Sequence, residues 1–220
     1  MDWGRLDTVS IAGVAVFSSL AVILAGISQA LGLNFPIIPY LQFDVGEVAI
    51  VIAFFIFGPI PALLSSFVEF AGLMVFGQQI PVGPLLKLFA LVSTVLGMWA
   101  GSKVVTRAGR VGLRKVVGAS ALTGALVRAA IMTVPNFYLI VFLYSVEGIE
   151  GFVRGSFALV GIGLNDANAL ALILGFTAVF NLLQTFFVVG VSYLVLRVPM
   201  VQQVKFAGRA PWFALVLKEK

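Results

Sequence analysis

Residues 40–68 read YLQFDVGEVAIVIAFFIFGPIPALLSSFV. Two carboxylates, Asp44 and Glu47, precede a run of twenty-one residues without a charge, and Gly58-Pro59 interrupts that run. No ordinary soluble helix carries such a run, whereas about 20 apolar residues are what a bilayer-spanning helix requires. The same signature recurs on both sides. No charge occurs between Asp7 and Asp44, or from Ala167 to Leu196. With 61% hydrophobic and 10% charged residues and a mean hydropathy of +1.12, the 220-residue chain is an integral membrane protein by composition. Helices are expected, because the two-residue alternation of a membrane barrel is missing.

Six segments are predicted, at about residues 8–32, 44–57, 59–77, 84–105, 115–146 and 167–197, in one domain covering 1–220. Proline cannot continue a helix but suits the first turn of the next, so Gly58-Pro59-Ile60-Pro61 marks a tight reversal. Gln78 to Pro84 marks a second break. The glycine-rich stretch 149–164 is expected to form a loop long enough to act as a lid. The first segment exceeds the 7–15 residues of a signal-peptide core and no small-residue cleavage pattern closes it, so it is expected to be a retained helix. The tail, 198–220, mixes Phe206, Trp212, Phe213 and Leu215 with Lys205, Arg209, Lys218 and Lys220, which suits an interfacial helix or a belt anchor.

Charge sets the orientation. Arg5, Lys103, Arg107, Arg110, Arg114, Lys115, Arg197, Lys205, Arg209, Lys218 and Lys220 all fall on one side if six segments alternate, leaving only Arg154 opposite, with Asp44, Glu47, Glu147, Glu150 and Asp166. The positive-inside bias makes both termini cytoplasmic and the acidic loops external. The net charge of +5 is therefore a topology signal, and no nucleic-acid partner is implied.

With no cysteine and no histidine, the chain lacks disulfides, thiol nucleophiles and the commonest metal ligand and general base. Neither a metal nor a cofactor is expected. Glu69, Lys87 and Arg128 lie within the hydrophobic segments, where an isolated charge costs about 2.5–3.5 kcal/mol on insertion scales. Snorkelling suits Glu69 and Lys87. Arg128 lies deeper and is a candidate partner for Glu69. Asn181 and Gln184, three residues apart, share a helix face. They can serve as interhelical amide bonds or converge with Asn136 and Glu47 on a pocket below the external loops. For Asp44 and Glu47 the competing role is capping of the following helix.

The order Tyr40-Leu41-x-Phe43-Asp44-x-x-Glu47, Phe57-Gly58-Pro59, Pro81-Val82-Gly83-Pro84-Leu85, Met132-Thr133-x-x-Asn136-Phe137 with Leu143-Tyr144, and Phe180-Asn181-Leu182-Leu183 resembles the riboflavin-specific S component of energy-coupling factor (ECF) transporters, across nearly the whole chain. The resemblance implies a six-helix vitamin receptor in the cell membrane that captures riboflavin from outside and associates with a transmembrane coupling subunit and two ATP-binding cassette ATPases. The chain itself has no G-x-x-x-x-G-K-S/T phosphate loop, so ATP dependence would come from those partners. Riboflavin contacts carry over to Gln42, Val45, Glu47, Gly83, Asn136, Asn181 and Gln184, with the Asn181 amide matched to the imide edge of the flavin ring. Gln184 stands where the family has lysine. Small residues Ala15 and Ser19, and Ala21 and Ala25, at four-residue spacing permit close helix approach. The resemblance makes them the docking face for the coupling subunit, and internal packing is the alternative. An S component for another vitamin and an intramembrane enzyme using Asp44, Glu47 and Glu69 remain the other readings.

Overall fold

The computed structural model describes residues 6–36, 38, 41–77, 79–107, 112–139, 166–198 and 210–214; for 166–170 it describes the backbone alone. Among the described residues six main helices follow in order: α1 (Thr8–Ala30), α2 (Gly46–Phe57), α3 (Pro59–Phe76), α4 (Val82–Arg107), α5 (Leu113–Tyr138) and α6 (Asp166–Leu196). Five of them are long and apolar enough to cross a membrane, and the chain is a multi-pass membrane protein. The exception is α2. Its 12 residues rise only about 18 Å against a hydrocarbon core of about 30 Å. The expected second span is thus a short helix inside the bundle.

Helix α2 is apolar all round, and such a helix must be buried on every face. It packs against α1, α3, α4 and α6 and supplies Ile50, Val51, Phe54 and Phe55 to the core. Gly58 ends it with φ +100°, a conformation open to glycine, and Pro59 starts α3 immediately. The chain therefore reverses as the sequence predicts. The most extensive helix pairing is α4 with α5. A Cβ on Gly97 would sit 2.7 Å from the carbonyl of Thr123, so the two backbones come as close as glycine allows, and the Thr123 hydroxyl donates to the Gly97 carbonyl at 2.7 Å. Buried hydroxyls of Ser18, Ser66, Thr94, Thr185 and Ser192 donate to carbonyls four residues back, which satisfies them without water.

The helices alternate in direction. Gln29 near the end of α1, Glu47 at the start of α2, Leu73 late in α3, Lys87 early in α4 and Asn136 late in α5 meet around one cavity. At the far end lie Lys103 and Arg107 of α4, Arg114 and Lys115 of α5, and Arg197 after α6. The acid-lined and base-lined ends are thus separated as the charge pattern requires.

Two expectations change. Trp212 and Phe213 do not form a membrane belt: both are buried in the core, and the Trp212 ring meets Phe54 edge-on at 5.2 Å. An indole covering the otherwise open end of a buried helix gains more apolar contact than one left at the interface. Docking residues of the first helix also divide. Ala15 and Ser19 are exposed, but Ala21 and Ala25 are 0% exposed, against the start of α2 at Gly46. Six residues of separation amount to about 600° of helical rotation, which places the pairs about 120° apart. Ala21 and Ala25 are internal packing positions. The predicted lid at 149–164 and the end of the fifth segment beyond 139 lie outside the described residues.

Candidate functional site

The cavity holds about 530 Å³, within the range of about 300–1,000 Å³ typical of small-molecule sites. Gln42, Glu47, Gly83, Asn136 and Asn181 line it, five of the seven residues expected to bind ligand. Val45 and Gln184 do not. The Val45 N–H donates to Ser28 Oγ at 2.9 Å, and the fully buried Gln184 donates to the Asp44 carbonyl at 2.8 Å. Together with Gln42, whose Nε2 donates to the Ser28 carbonyl at 2.8 Å, these bonds pin the α1–α2 connection between α1 and α6. Buried backbone groups need partners wherever regular structure stops, and here side chains of two helices supply them.

Glu47 and Arg128 meet in the wall. Arg128 Nη1 and Nη2 donate to the two carboxylate oxygens of Glu47 at 2.5 and 2.9 Å, and Nε donates to Asn181 Oδ1 at 2.9 Å. All three side chains are buried. The expected pairing of Arg128 with Glu69 does not occur: Arg128 is bonded to Glu47, and Glu69 lies against Lys87. A planar guanidinium can satisfy a carboxylate and an amide at once, so this network closes on itself.

Lys87 takes Glu69 instead. Its Nζ lies 2.5 Å from Glu69 Oε1 and also contacts Asp44 Oδ2. Neither Glu69, 0% exposed, nor Lys87 snorkels: each is held by the other's charge inside the bundle. Asp44 also accepts from the Gly46 N–H at 2.6 Å, so it caps α2 while pairing with Lys87; Glu47 does not cap.

The amides divide in a way the resemblance did not anticipate. Asn181 has both ends occupied within the protein, Oδ1 by Arg128 and Nδ2 by the Thr177 carbonyl at 2.8 Å. Asn136, a residue of the cavity lining, spends its Nδ2 on the Met132 carbonyl at 2.7 Å and leaves Oδ1 buried without a hydrogen-bond partner. An unpaired buried acceptor costs about 1–3 kcal/mol, which a ligand N–H or O–H aimed at it would recover.

Apolar walls complete the site. Leu73, Met132, Leu139 and Phe180 line it. Phe180 belongs to an aromatic cluster with Phe35 and Phe43, ring centroids 5.6 and 5.1 Å away, which seats the α1–α2 connection on α6. Sequence reasoning missed Phe180, Leu73, Met132 and Leu139 as site residues, since an aromatic or aliphatic residue in an apolar helix carries no mark of facing a cavity. It singled out Lys87, Arg128 and Asp44 by their charge without assigning them to the wall. Among the described residues no cluster of three metal-ligating side chains occurs.

No protein-family model and no curated protein matches the sequence. Among solved structures, the S component of a bacterial ECF transporter is similar in fold, with a TM-score of 0.63 at 18% identity, over 86% of this chain and 93% of that one. The chain has the S-component fold.

Proposed function

We propose that this chain is the substrate-binding subunit of an ECF-type importer and that its cavity takes riboflavin. The observation that carries the reading is an amphipathic cavity of about 530 Å³ within that fold, lined by Asn136, whose buried Oδ1 has no hydrogen-bond partner. The flavin ring offers one imide N–H between two carbonyls and a flat apolar body, a match for one free acceptor beside the Phe180 ring. Ribityl hydroxyls would reach the polar groups of Gln42, Asp44 and Lys87 at the wall. In this assignment Asn136 replaces Asn181 as the group that meets the ring edge, while Asn181 acts through Arg128.

Charge supports a neutral ligand. Lys87 and Arg128 stand against Asp44, Glu47 and Glu69, two bases against three acids, so no unbalanced cation is available to attract a carboxylate-bearing vitamin. The same surplus of acid favours, as a second reading, a cationic vitamin such as thiamine. Each carboxylate an intramembrane enzyme would use is engaged by a cation, which favours binding over catalysis.

The positive-inside bias places the basic end in the cytoplasm and the cavity mouth outside. Energy would come from a coupling subunit and two ATP-binding cassette ATPases, since the chain has no phosphate loop. Fluorescence titration of ligand-free protein tests the assignment. Saturable quenching of riboflavin with one site per chain is expected, unaffected by excess biotin. Absence of quenching with displacement of labelled thiamine would establish the second reading instead.

A further inference from the structure

At the end opposite the cavity, α5 and α6 part to leave a groove of about 460 Å³. Its floor is apolar, built from Val117, Ala121 and Val189. Two glycines widen it, Gly118 on α5 and Gly190 on α6, and a Cβ on either would meet nothing within 4 Å. Its rim carries two exposed arginines, Arg114 and Arg197. Among the described residues neither guanidinium pairs with a carboxylate, and Asp44, Glu47 and Glu69 are committed at the other end. The Arg197 guanidinium lies 5.7 Å from the centroid of Tyr193, itself part of the groove, which holds the charge near the rim.

We propose that this groove binds one anionic phospholipid, its phosphate on Arg114 and Arg197 and one acyl chain along the slot at Gly118 and Gly190. Basic pockets between transmembrane helices recognise anionic headgroups through charge, and the planar guanidinium fork suits a phosphate. The apolar floor selects the lipid over free phosphate, because only an acyl chain gains from covering it. The glycines provide the width that leucine or valine would fill. The site is separate from the ligand cavity and does not depend on which vitamin that cavity takes.

The chain has no cysteine, so Gly190→Cys reports on the slot alone. In nanodiscs of phosphatidylglycerol, maleimide labelling at position 190 should be at least fivefold slower than in phosphatidylcholine. Adding Arg114→Gln and Arg197→Gln should remove the difference. Inorganic phosphate added to phosphatidylcholine discs should not reproduce it. Native mass spectrometry provides the check without a probe: the unmodified chain should retain one phosphatidylglycerol, and Gly190→Leu, which fills the slot but keeps both charges, should retain less. Equal labelling in both lipids overturns the proposal. So does slow labelling in both, which would mean that protein covers the groove, or protection that appears only when coupling subunits are added.

Discussion

Two ion networks share one cavity wall and are built differently. In the first, Glu47, Arg128 and Asn181 are joined by three side-chain hydrogen bonds at 2.5–2.9 Å, and Asn181 is tied on to the Thr177 carbonyl. In the second, the single ammonium of Lys87 contacts the carboxylates of both Asp44 and Glu69. The contrast follows from the cations. Guanidinium presents a rigid fork whose directions fix the carboxylate, while ammonium is a compact charge that attracts from any direction. The arginine network is scaffold, joining α2, α5 and α6. The lysine network is two close ion contacts to one compact ammonium, which fixes no carboxylate direction.

The hardest test of that division is Arg128→Met. Removing one partner from a buried pair leaves an uncompensated charge, so the ligand-free protein should lose about 3–5 kcal/mol of stability. Thermal unfolding in detergent measures it. The double change Glu47→Leu with Arg128→Leu should recover most of the loss, because apolar replacement of a whole buried pair is often neutral. If the double variant is no more stable than the single, the pair is not the structural unit described.

Lys87→Met should act in the opposite balance. Its directional bonds are few, so the cost to the ligand-free protein should be about 1–3 kcal/mol, below that of Arg128→Met. Affinity for the proposed ligand should fall more than stability does. Isothermal titration beside the same unfolding assay separates the two, and a larger stability loss for Lys87→Met than for Arg128→Met would reverse the comparison.

The finest discrimination lies between two asparagines. Asn136→Ala removes a free acceptor and should weaken binding by about 1–3 kcal/mol while leaving the ligand-free protein nearly unchanged. Asn181→Ala removes two internal bonds and should lower ligand-free stability by about 1–2 kcal/mol. A binding loss confined to Asn181→Ala would restore the direct contact that the family resemblance implies.

The membrane class, five of the six expected spans, the reversal at Gly58-Pro59 and, among the described residues, the separation of basic from acidic ends were legible in the sequence. Each rests on a local or summed property: the length of an uncharged run, the backbone limits of glycine and proline, the sign of loop charges. Five of seven expected site residues also meet at the cavity, since they flank helix ends that alternating topology brings together. What local rules could not decide was pairing and depth. Glu47 and Arg128 are 81 residues apart, and only the packed bundle makes Glu47, rather than Glu69, the partner. Whether Ala21 faces lipid or α2, whether Trp212 lies in an interface or against Phe54, and which asparagine keeps a free oxygen depend on neighbours from distant segments. Hydropathy measures how much a residue prefers to leave water. In a chain this apolar, protein and lipid satisfy that preference equally, so only the packed bundle determines which of them each side chain meets.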